Sequence, residues 1–153
     1  VAPLAKALAR KERAKADRSA DEWFELGLEL EIGAPKDAFE AYRRTVGLDP
    51  AHADAWVNLG RLAYEAGQRV EAECCYRAAL TARPDDSIAL FNLGLSLQGR
   101  GRDEDALHAF KYAIASDPEC ADAHYNIAQI YERLGKPQAA LRHLRSFQRL
   151  TDV

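Results

Sequence analysis

The fold is decided by residues 53–86, which read ADAWVNLGRLAYEAGQRVEAECCYRAALTARPDD. The first half of this stretch carries apolar residues at three- and four-residue steps beginning with Trp56 and Leu59, the spacing of one face of an α-helix. Gly67 follows, a residue whose backbone is free enough for a tight turn. A second helical period then runs to Pro84, which ends it because proline lacks an N–H and disfavours the α conformation in the residue before it. The stretch therefore predicts two helices joined by a short turn.

The same pattern recurs every 34 residues. The residues that share this interval are Pro50, Pro84 and Pro118; Ala72, Ala106 and Ala140; Asn58, Asn92 and Asn126; and Gly67, Gly101 and Gly135. Four units nearly fill the 153-residue chain from residue 19 onward, and a fixed period of this length is typical of repeat architectures. Alternating β-branched runs and Asn-Gly hairpin signals are missing from the sequence, so strands have no support. We predict an all-α protein with repeats at 19–52, 53–86, 87–120 and 121–153.

These units resemble the tetratricopeptide repeat (TPR), whose pattern is W-x2-L-G-x2-Y, then A-x3-F, then P. The second unit carries Trp56, Leu59, Gly60, Ala72, Tyr76 and Pro84, with Tyr64 one place late. The first carries Trp23, Leu26, Gly27, Leu30, Ala38, Tyr42 and Pro50, and is one residue shorter before Gly33. The third carries Leu90, Leu93, Gly94, Leu97, Ala106, Phe110 and Pro118; the fourth carries His124, Ile127, Ala128, Tyr131, Ala140 and Leu144, with Asp152 in place of the proline. The resemblance implies a right-handed α-α superhelix of antiparallel helix pairs.

Residue size at fixed positions suits close packing of such pairs. Small residues should let the two helices of a unit approach each other, and large residues should fill the space between units, because one unit cannot bury its own apolar face. The small set is Gly27, Gly60, Gly94, Ala128, Ala38, Ala72, Ala106 and Ala140. The large set is Trp23, Trp56, Leu90, His124, Tyr42, Tyr76, Phe110 and Leu144.

Charge is unevenly distributed. Residues 1–18 hold six basic and two acidic residues, and the remaining chain holds 15 basic and 22 acidic residues, which gives +4 and −7 and a total of −3. An acidic body is a poor binder of the phosphate backbone, so we predict no direct nucleic-acid binding by the repeat domain. We read residues 1–18 as a basic connecting or capping helix, with a basic arm for nucleic acid or acidic lipid as the alternative. No apolar run approaches a membrane span, so no membrane partner is predicted.

No motif in the chain points to catalysis. Cys74 and Cys75 are adjacent and lack a CxxC partner motif, which argues against a disulfide framework or zinc site and favours a reducing cytoplasm. The four histidines, at 52, 108, 124 and 143, fall at different phases of the repeat and should be scattered over the solenoid. A nucleophile needs a base within reach and a metal needs convergent ligands. We therefore predict no catalytic residues, no metal, no cofactor and no enzymatic activity.

The TPR resemblance implies a concave groove lined by the first helix of each unit. In that family the residues one, two, five, eight and nine places after the Trp position face inward. The partner-binding positions so implied are Phe24, Val57, Asn58, Arg61, Tyr64, Phe91, Asn92, Leu95, Tyr125, Asn126, Gln129 and Arg133. An Asn amide can both donate to and accept from the backbone of an extended peptide. Asn is also frequent at this position in the family consensus, so these asparagines are equally consistent with a residue that is tolerated there and binds no peptide.

The predicted function is a non-enzymatic scaffold that holds a protein, peptide or partner helix of unknown identity in the groove. Two alternatives stay open: a partner-binding or oligomerisation domain behind a bacterial helix-turn-helix head, and a substrate-recruiting domain of an enzyme such as a glycosyltransferase.

The last helix carries Leu141, Leu144, Phe147 and Leu150, and no polar terminal helix follows it. We expect this face to be covered by another copy of the protein or by further sequence. The absence of methionine indicates a piece of a longer chain.

Overall fold

Within the part of the chain that the structure describes, eight α-helices with defined bounds follow one another, paired by the short turns that the sequence predicts. A computed structural model describes residues 6, 14 and 16–152. The helices bounded within these residues are α1 (Ala20–Leu30), α2 (Pro35–Leu48), α3 (Ala53–Glu65), α4 (Arg69–Ala82), α5 (Ser87–Gly99), α6 (Asp103–Ser116), α7 (Ala121–Arg133) and α8 (Pro137–Thr151). The described residues contain no strand. The predicted all-α repeat fold is therefore confirmed, whereas most of the predicted basic helix at 1–18 lies outside the described residues.

Local sequence signals set the helix ends. Ser19 forms a capping box at the start of α1: its hydroxyl accepts from the Glu22 N–H at 3.2 Å, and its own N–H donates to the Glu22 carboxylate at 2.7 Å. Asp86 caps α5 by accepting from the Ala89 N–H at 2.9 Å. Each cap satisfies backbone donors that the first turn of a helix cannot pair internally.

Glycine makes the turns between paired helices in the last three repeats. Gly67, Gly101 and Gly135 have φ values of 80°, 74° and 70°, the left-handed region that favours glycine. The first repeat, one residue shorter at this turn, makes its turn without a positive φ. The 34-residue glycine interval thus reports a backbone requirement and confirms the predicted turns.

The two helices of a repeat meet where a glycine faces an aromatic ring. A Cβ added to Gly60 would lie 2.6 Å from Cε1 of Tyr76, and one added to Gly94 would lie 2.5 Å from Cε1 of Phe110. Both rings are buried, and Phe110 also packs in a cluster with Ile127 of the following repeat. The same rings therefore close the interior of a repeat and its junction with the next one.

The Trp position is less uniform than the pattern suggests. Trp23 and Leu90 are buried there, as predicted for residues that fill the space between units. Trp56 is only partly buried, and its indole N–H donates to the carbonyl of Pro50 at 2.8 Å. His124 is also partly exposed. The predicted filling role thus holds at two of the four units and is weaker at the other two.

An ion cluster adds to the apolar packing between the second and third repeats. Glu73 on α4 is only 8% exposed. Its carboxylate accepts from Arg77 at 2.9 Å and from Arg102 at 3.0 Å, and it also pairs with Arg100. The residue at this position in the next repeat is Leu107, which is buried as part of the apolar core. One repeat position is therefore filled by a leucine at one junction and by a charged network at another.

Stacking continues in one direction along the chain. Each even-numbered helix packs against the odd-numbered helix that follows it, and α3 also contacts α5. Consecutive repeats therefore stack in chain order, as expected for a right-handed superhelix of helix pairs.

Candidate functional site

A cavity of about 520 Å³ opens where α3 and α5 begin. Its lining residues are Asp54, Val57, Asn58, Arg83, Asp86, Ser87 and Ile88. Ile88 is 63% exposed and gives the cavity an apolar edge. Arg83 joins Asp54 at 2.9 Å and Asp86 at 3.0 Å, so the charges around the rim are already paired within the protein.

A second cavity, of about 360 Å³, lies where the same two helices end. It is lined by Tyr64, Leu95, Gln98, Gly99, Gly101, Asp103 and Arg133. Arg133 on α7 pairs with Asp103 on α6 at 2.9 Å. The Arg69 guanidinium stacks 4.2 Å from the Tyr64 ring centroid, which holds that ring in place. Three of the predicted groove residues, Tyr64, Leu95 and Arg133, are thus brought together here.

A hydrogen-bonded network connects the first two repeats beside the first cavity. The Tyr42 hydroxyl donates to Glu31 at 2.5 Å, and Arg61 donates to the other oxygen of Glu31, also at 2.5 Å. Arg61 additionally pairs with Glu65 at 3.0 Å. Burial and the neighbouring Glu31 carboxylate raise the pKa of Tyr42, so this phenol stays protonated and acts as a donor. The predicted groove residue Arg61 is therefore held in a fixed position by two carboxylates.

The three predicted asparagines are not equivalent. Asn58 donates its amide to the Tyr42 oxygen at 3.3 Å, and Asn126 donates to the carbonyl of Asp122 on its own helix at 2.8 Å. For Asn92 the described residues offer no hydrogen-bond partner, and its side chain is partly exposed. Asn92 therefore has its whole amide available to a ligand, whereas Asn58 and Asn126 each have an amide already engaged.

The four predicted groove residues one place after the Trp position, Phe24, Val57, Phe91 and Tyr125, form an apolar stripe that is partly buried in the core. Phe24 and Phe91 are half-buried and Tyr125 is exposed. Each ring packs on a neighbouring ring of the protein. These neighbours are Tyr42 and His52 for Phe24, Phe110 for Phe91, and Phe147 for Tyr125. Each of the three rings is thus partly covered by another ring of the protein.

Val57 is the member of the stripe that contributes least to the surface. It is 8% exposed and packs in a buried cluster with Ala79 and Ala89. Val57 is one of the residues that line the first cavity, but little of its side chain is exposed there. Ile88, which sequence reasoning missed, supplies the exposed apolar surface there. The predicted Gln129 on α7 is half-buried and lines neither of the two cavities.

Two histidines meet in the last repeat. The Nδ1 atoms of His124 on α7 and His143 on α8 are 3.0 Å apart. The prediction that the histidines are scattered was therefore wrong for this pair. Comparing phases between repeats does not test contacts between the two antiparallel helices of one repeat. A hydrogen bond between the two nitrogens requires at least one ring to be neutral.

The histidine pair should make the protein less stable as the pH falls. Burial lowers the pKa of both rings. The positive charge of Arg149 lowers the pKa of His124 further. The pKa of His143 is lowered further by His124, Lys111 and Arg142. Because both folded-state values lie below the unfolded value of about 6.5, the unfolded chain binds more protons below that pH. We expect the free energy of unfolding to decrease from pH 8 to pH 5.5. Denaturant titrations of His143→Leu should show a flatter profile.

The exposed His108→Gln variant is the matched control for that experiment, because it also removes one imidazole but from outside the pair. A pH profile that stays as steep in His143→Leu as in wild type would contradict the assignment.

The described residues show no grouping typical of a reactive centre. No three His, Cys, Asp or Glu side chains among them are placed to share a metal ion. Burial raises the pKa of the Cys75 thiol to about 12, so this cysteine is a poor nucleophile. Among the helices that the structure describes, none has the length and apolar character needed to cross a membrane.

This geometry defines a helical-repeat protein with cavities at both ends of the α3–α5 pair. Two family models, both described as tetratricopeptide repeat, match residues 29–94 and 91–152. The chain belongs to the tetratricopeptide repeat family. No curated protein matches it.

Solved structures of MamA share the fold. A crystal structure of MamA is 25% identical, with a TM-score of 0.86 over 93% of this chain and 84% of that one. MamA 41-end from Desulfovibrio magneticus RS-1 is 23% identical, with a TM-score of 0.79 over 88% of this chain and 77% of that one. A third, MamA AMB-1 C2221, is 26% identical, with a TM-score of 0.74 over 86% of this chain and 78% of that one.

Proposed function

We propose that this protein is a non-enzymatic scaffold that binds an extended peptide or a partner helix along α3 and α5, between the two cavities. The observation that carries the proposal is the order of residues on α5. Ile88, Asn92 and Leu95 follow one another at steps of four and three, so they lie on one face of the helix. This face runs from the first cavity to the second, with the open amide of Asn92 between two apolar contacts.

The length of this face sets the size of the ligand. Eleven residues separate Ile88 from Gly99, the last lining residue of the second cavity on α5, which corresponds to roughly 16 Å along the helix. About five residues of an extended peptide span that distance. The two apolar contacts, Ile88 and Leu95, are roughly 10 Å apart along the helix, so the ligand should place its apolar side chains about three residues apart within that span.

Energetics also favour an apolar ligand. A micromolar complex needs about 8 kcal/mol, whereas hydrogen bonds contribute a net ~0.5–1.5 kcal/mol each, so three asparagines cannot supply it. Burial of apolar side chains at Ile88 and Leu95 must contribute much of the remainder. Since Arg83 and Arg133 are paired with carboxylates of the protein, a purely charged tail would find few unpaired charges here.

Charge and cysteine content bear on the nucleic-acid binding and the cellular compartment of the protein. Nucleic-acid binding by the acidic repeats is not expected, and free thiols at Cys74, Cys75 and Cys120 suit a reducing cytoplasm. The regulator and enzyme-accessory alternatives remain predictions, because each is defined by a domain other than the repeats.

The groove is tested with peptides selected on the immobilised protein from a random phage-displayed library. We expect selected peptides to carry spaced apolar residues and to bind Leu95→Glu at least tenfold more weakly than wild type, because a carboxylate would replace an apolar wall of the second cavity. Asn92→Ala should weaken binding by a smaller factor, and the Asn58/Asn92/Asn126→Ala triple variant should reveal how much the engaged amides add. Dissociation constants are measured by isothermal titration calorimetry.

Tyr112→Ala is the matched control, because Tyr112 is an exposed aromatic residue on α6, away from both cavities. Peptides that bind every groove variant as tightly as wild type would overturn the groove proposal while leaving the fold intact.

A further inference from the structure

The positions of His124 and His143 hold apolar or small residues in the other three repeats. Each earlier repeat has a large apolar residue on its first helix and a small residue on its second helix at these positions. These pairs are Trp23 with Ala41, Trp56 with Cys75, and Leu90 with Ala109. The three small residues are buried, whereas both histidines of the last repeat are half-buried. A repeat therefore packs without imidazoles here, and packing alone does not account for the pair.

The distance between the two rings suits a shared metal ion. Their Nδ1 atoms are 3.0 Å apart, and the ring centroids are 5.2 Å apart. An imidazole nitrogen binds a first-row metal ion at about 2.1 Å, so two nitrogens at this separation subtend an angle of about 90° at the ion. Neighbouring ligands in square-planar and octahedral sites make this angle, whereas tetrahedral zinc would need the nitrogens roughly 3.4 Å apart. The separation therefore favours Cu²⁺ or Ni²⁺.

The hydrogen-bonded pair can become a metal-binding pair without leaving its place. In the hydrogen bond one Nδ1 carries the proton and the other Nδ1 accepts it. When both rings carry their proton on Nε2, both Nδ1 lone pairs are available. A moderate turn of each ring about its Cβ–Cγ bond then points both lone pairs at one ion. The change moves one proton from Nδ1 to Nε2 of the same ring, and none is gained or lost.

The surroundings of the pair set a limit on the affinity. Lys111 on α6 and both Arg142 and Arg149 on α8 are charged groups that act on the two rings, and all three are exposed. Their charges favour the neutral imidazoles that metal binding requires, but they also repel a dication. Among the described residues no third His, Cys, Asp or Glu joins the pair at a common metal position. The protein therefore offers two ligands, and water completes the coordination shell.

We propose that His124 and His143 form a two-histidine site for Cu²⁺ or Ni²⁺ that clamps α7 to α8. The sequence-based expectation of no metal rested on the histidines being scattered, and these two are not. Both ligands belong to one repeat, so the site does not depend on what precedes or follows the sequence. It goes beyond the proposed peptide groove, because it uses neither of the two cavities there.

The test is a titration of the full chain with Ni²⁺, measured by isothermal titration calorimetry and by thermal unfolding. Ni²⁺ is the probe because Cu²⁺ oxidises thiols and Cys74 is exposed. We expect one Ni²⁺ per chain and an unfolding midpoint that rises with Ni²⁺ concentration, because the ion binds the folded chain in preference to the unfolded one. His124→Leu and His143→Ala each remove one ligand and match the preceding repeat, which has Leu90 and Ala109. Each variant should bind Ni²⁺ at least about tenfold more weakly and lose the rise of the midpoint.

His108→Gln is the matched control, because His108 is an exposed histidine on α6 outside the pair. It should bind Ni²⁺ as wild type does, and circular dichroism checks that every variant is folded. Ni²⁺ binding that stays unchanged in both His124→Leu and His143→Ala would show an adventitious ion elsewhere on the chain and would overturn the proposal. A wild-type chain that takes up no Ni²⁺ would overturn it as well. Tighter binding of Zn²⁺ than of Ni²⁺ would overturn the choice of metal, because that choice follows from the 90° angle.

Discussion

Replacing Phe110 by alanine should lower the free energy of unfolding by about 3–5 kcal/mol, the usual range for removing a fully buried phenylalanine. Phe110 is 0% exposed and packs in the largest buried cluster, which reaches from the second repeat to Ile127 in the fourth. Its ring also fills the gap opposite Gly94, where a Cβ would stand 2.5 Å from it. The substitution therefore loosens one repeat internally and weakens its contact with the next, and repeat proteins transmit such losses through nearest-neighbour interfaces.

The glycine provides a second way to measure the same contact. Gly94→Ala alone should destabilise the protein by about 1–3 kcal/mol because the new methyl group meets the Phe110 ring. In the Phe110→Ala background that clash disappears, so the two losses should fall short of additivity by more than about 0.5 kcal/mol. Urea denaturation of the four proteins gives the cycle. Tyr112→Ala, which removes an exposed ring from the same helix, should change stability by less than about 0.5 kcal/mol.

Simple additivity of Gly94→Ala and Phe110→Ala would show that the ring does not occupy the space above the glycine. The register of α5 against α6 would then need revision, although the repeat itself would stand.

Features that recur at 34 residues could be predicted because the same physical requirement recurs with them. Gly67 and Gly101 are needed by the left-handed turn, and Gly60 and Gly94 by the close approach of an aromatic ring. Ser19 with Glu22 is a local signal that needs no tertiary information. Each of these depends on the backbone of one repeat, so sequence spacing alone identifies them.

The candidate site was less predictable because it depends on which side chains contact other residues of the protein and so are not available to a ligand. Val57 occupies an inward position of the repeat pattern, yet the small residues Ala79 and Ala89 leave room for it to sink into the core. Asn58 has a side chain that could bind a peptide backbone, but its amide N–H already donates a hydrogen bond to the hydroxyl oxygen of Tyr42, sixteen residues earlier. Ile88 lies before the Trp position, so a pattern that starts from that position does not include it.

Contacts between unlike positions were missed for the same reason. His124 and His143 share no phase of the repeat, and Glu73 takes the position that Leu107 fills in the next repeat. Neither contact leaves a periodic trace in the sequence. Arginines at 100 and 102 do stand one repeat after Ala66 and Gln68, and this change from small and neutral to basic could have marked the junction as different.

Replacing Glu73 by glutamine should lower the free energy of unfolding by about 1–3 kcal/mol. The carboxylate is 8% exposed and is contacted by Arg77, Arg100 and Arg102, the last two from the next repeat. Glutamine keeps the size of the side chain but removes the negative charge that the three guanidinium groups share, and Arg102 keeps its pair with Asp105 at 2.8 Å. The cost stays below that of a fully buried pair because the arginines are partly exposed and can turn towards water.

The pH dependence separates this electrostatic loss from a loss of packing. Burial raises the pKa of Glu73, but the hydrogen bond from Arg77 and the charges of Arg102, Arg77 and Arg100 outweigh it, so the folded-state pKa is lowered. The ionised carboxylate therefore stabilises the fold above its unfolded pKa of about 4.3, and this contribution is lost as the pH falls through the lower folded value. The stability difference between wild type and Glu73→Gln should be constant near neutral pH and shrink below about pH 4.3.

Chemical denaturation at several pH values measures this difference, with Glu71→Gln, an exposed acid on the same helix, as the control. A difference that keeps its full size in acid would mean that Glu73 acts through hydrogen bonds that do not depend on its charge. In that case the charge of Glu73 would not help to join the second and third repeats, and Glu73→Leu should be tolerated because Leu107 fills the same position of the next repeat. A difference that vanishes in acid would instead establish that these neighbouring repeats are held together by an ion cluster.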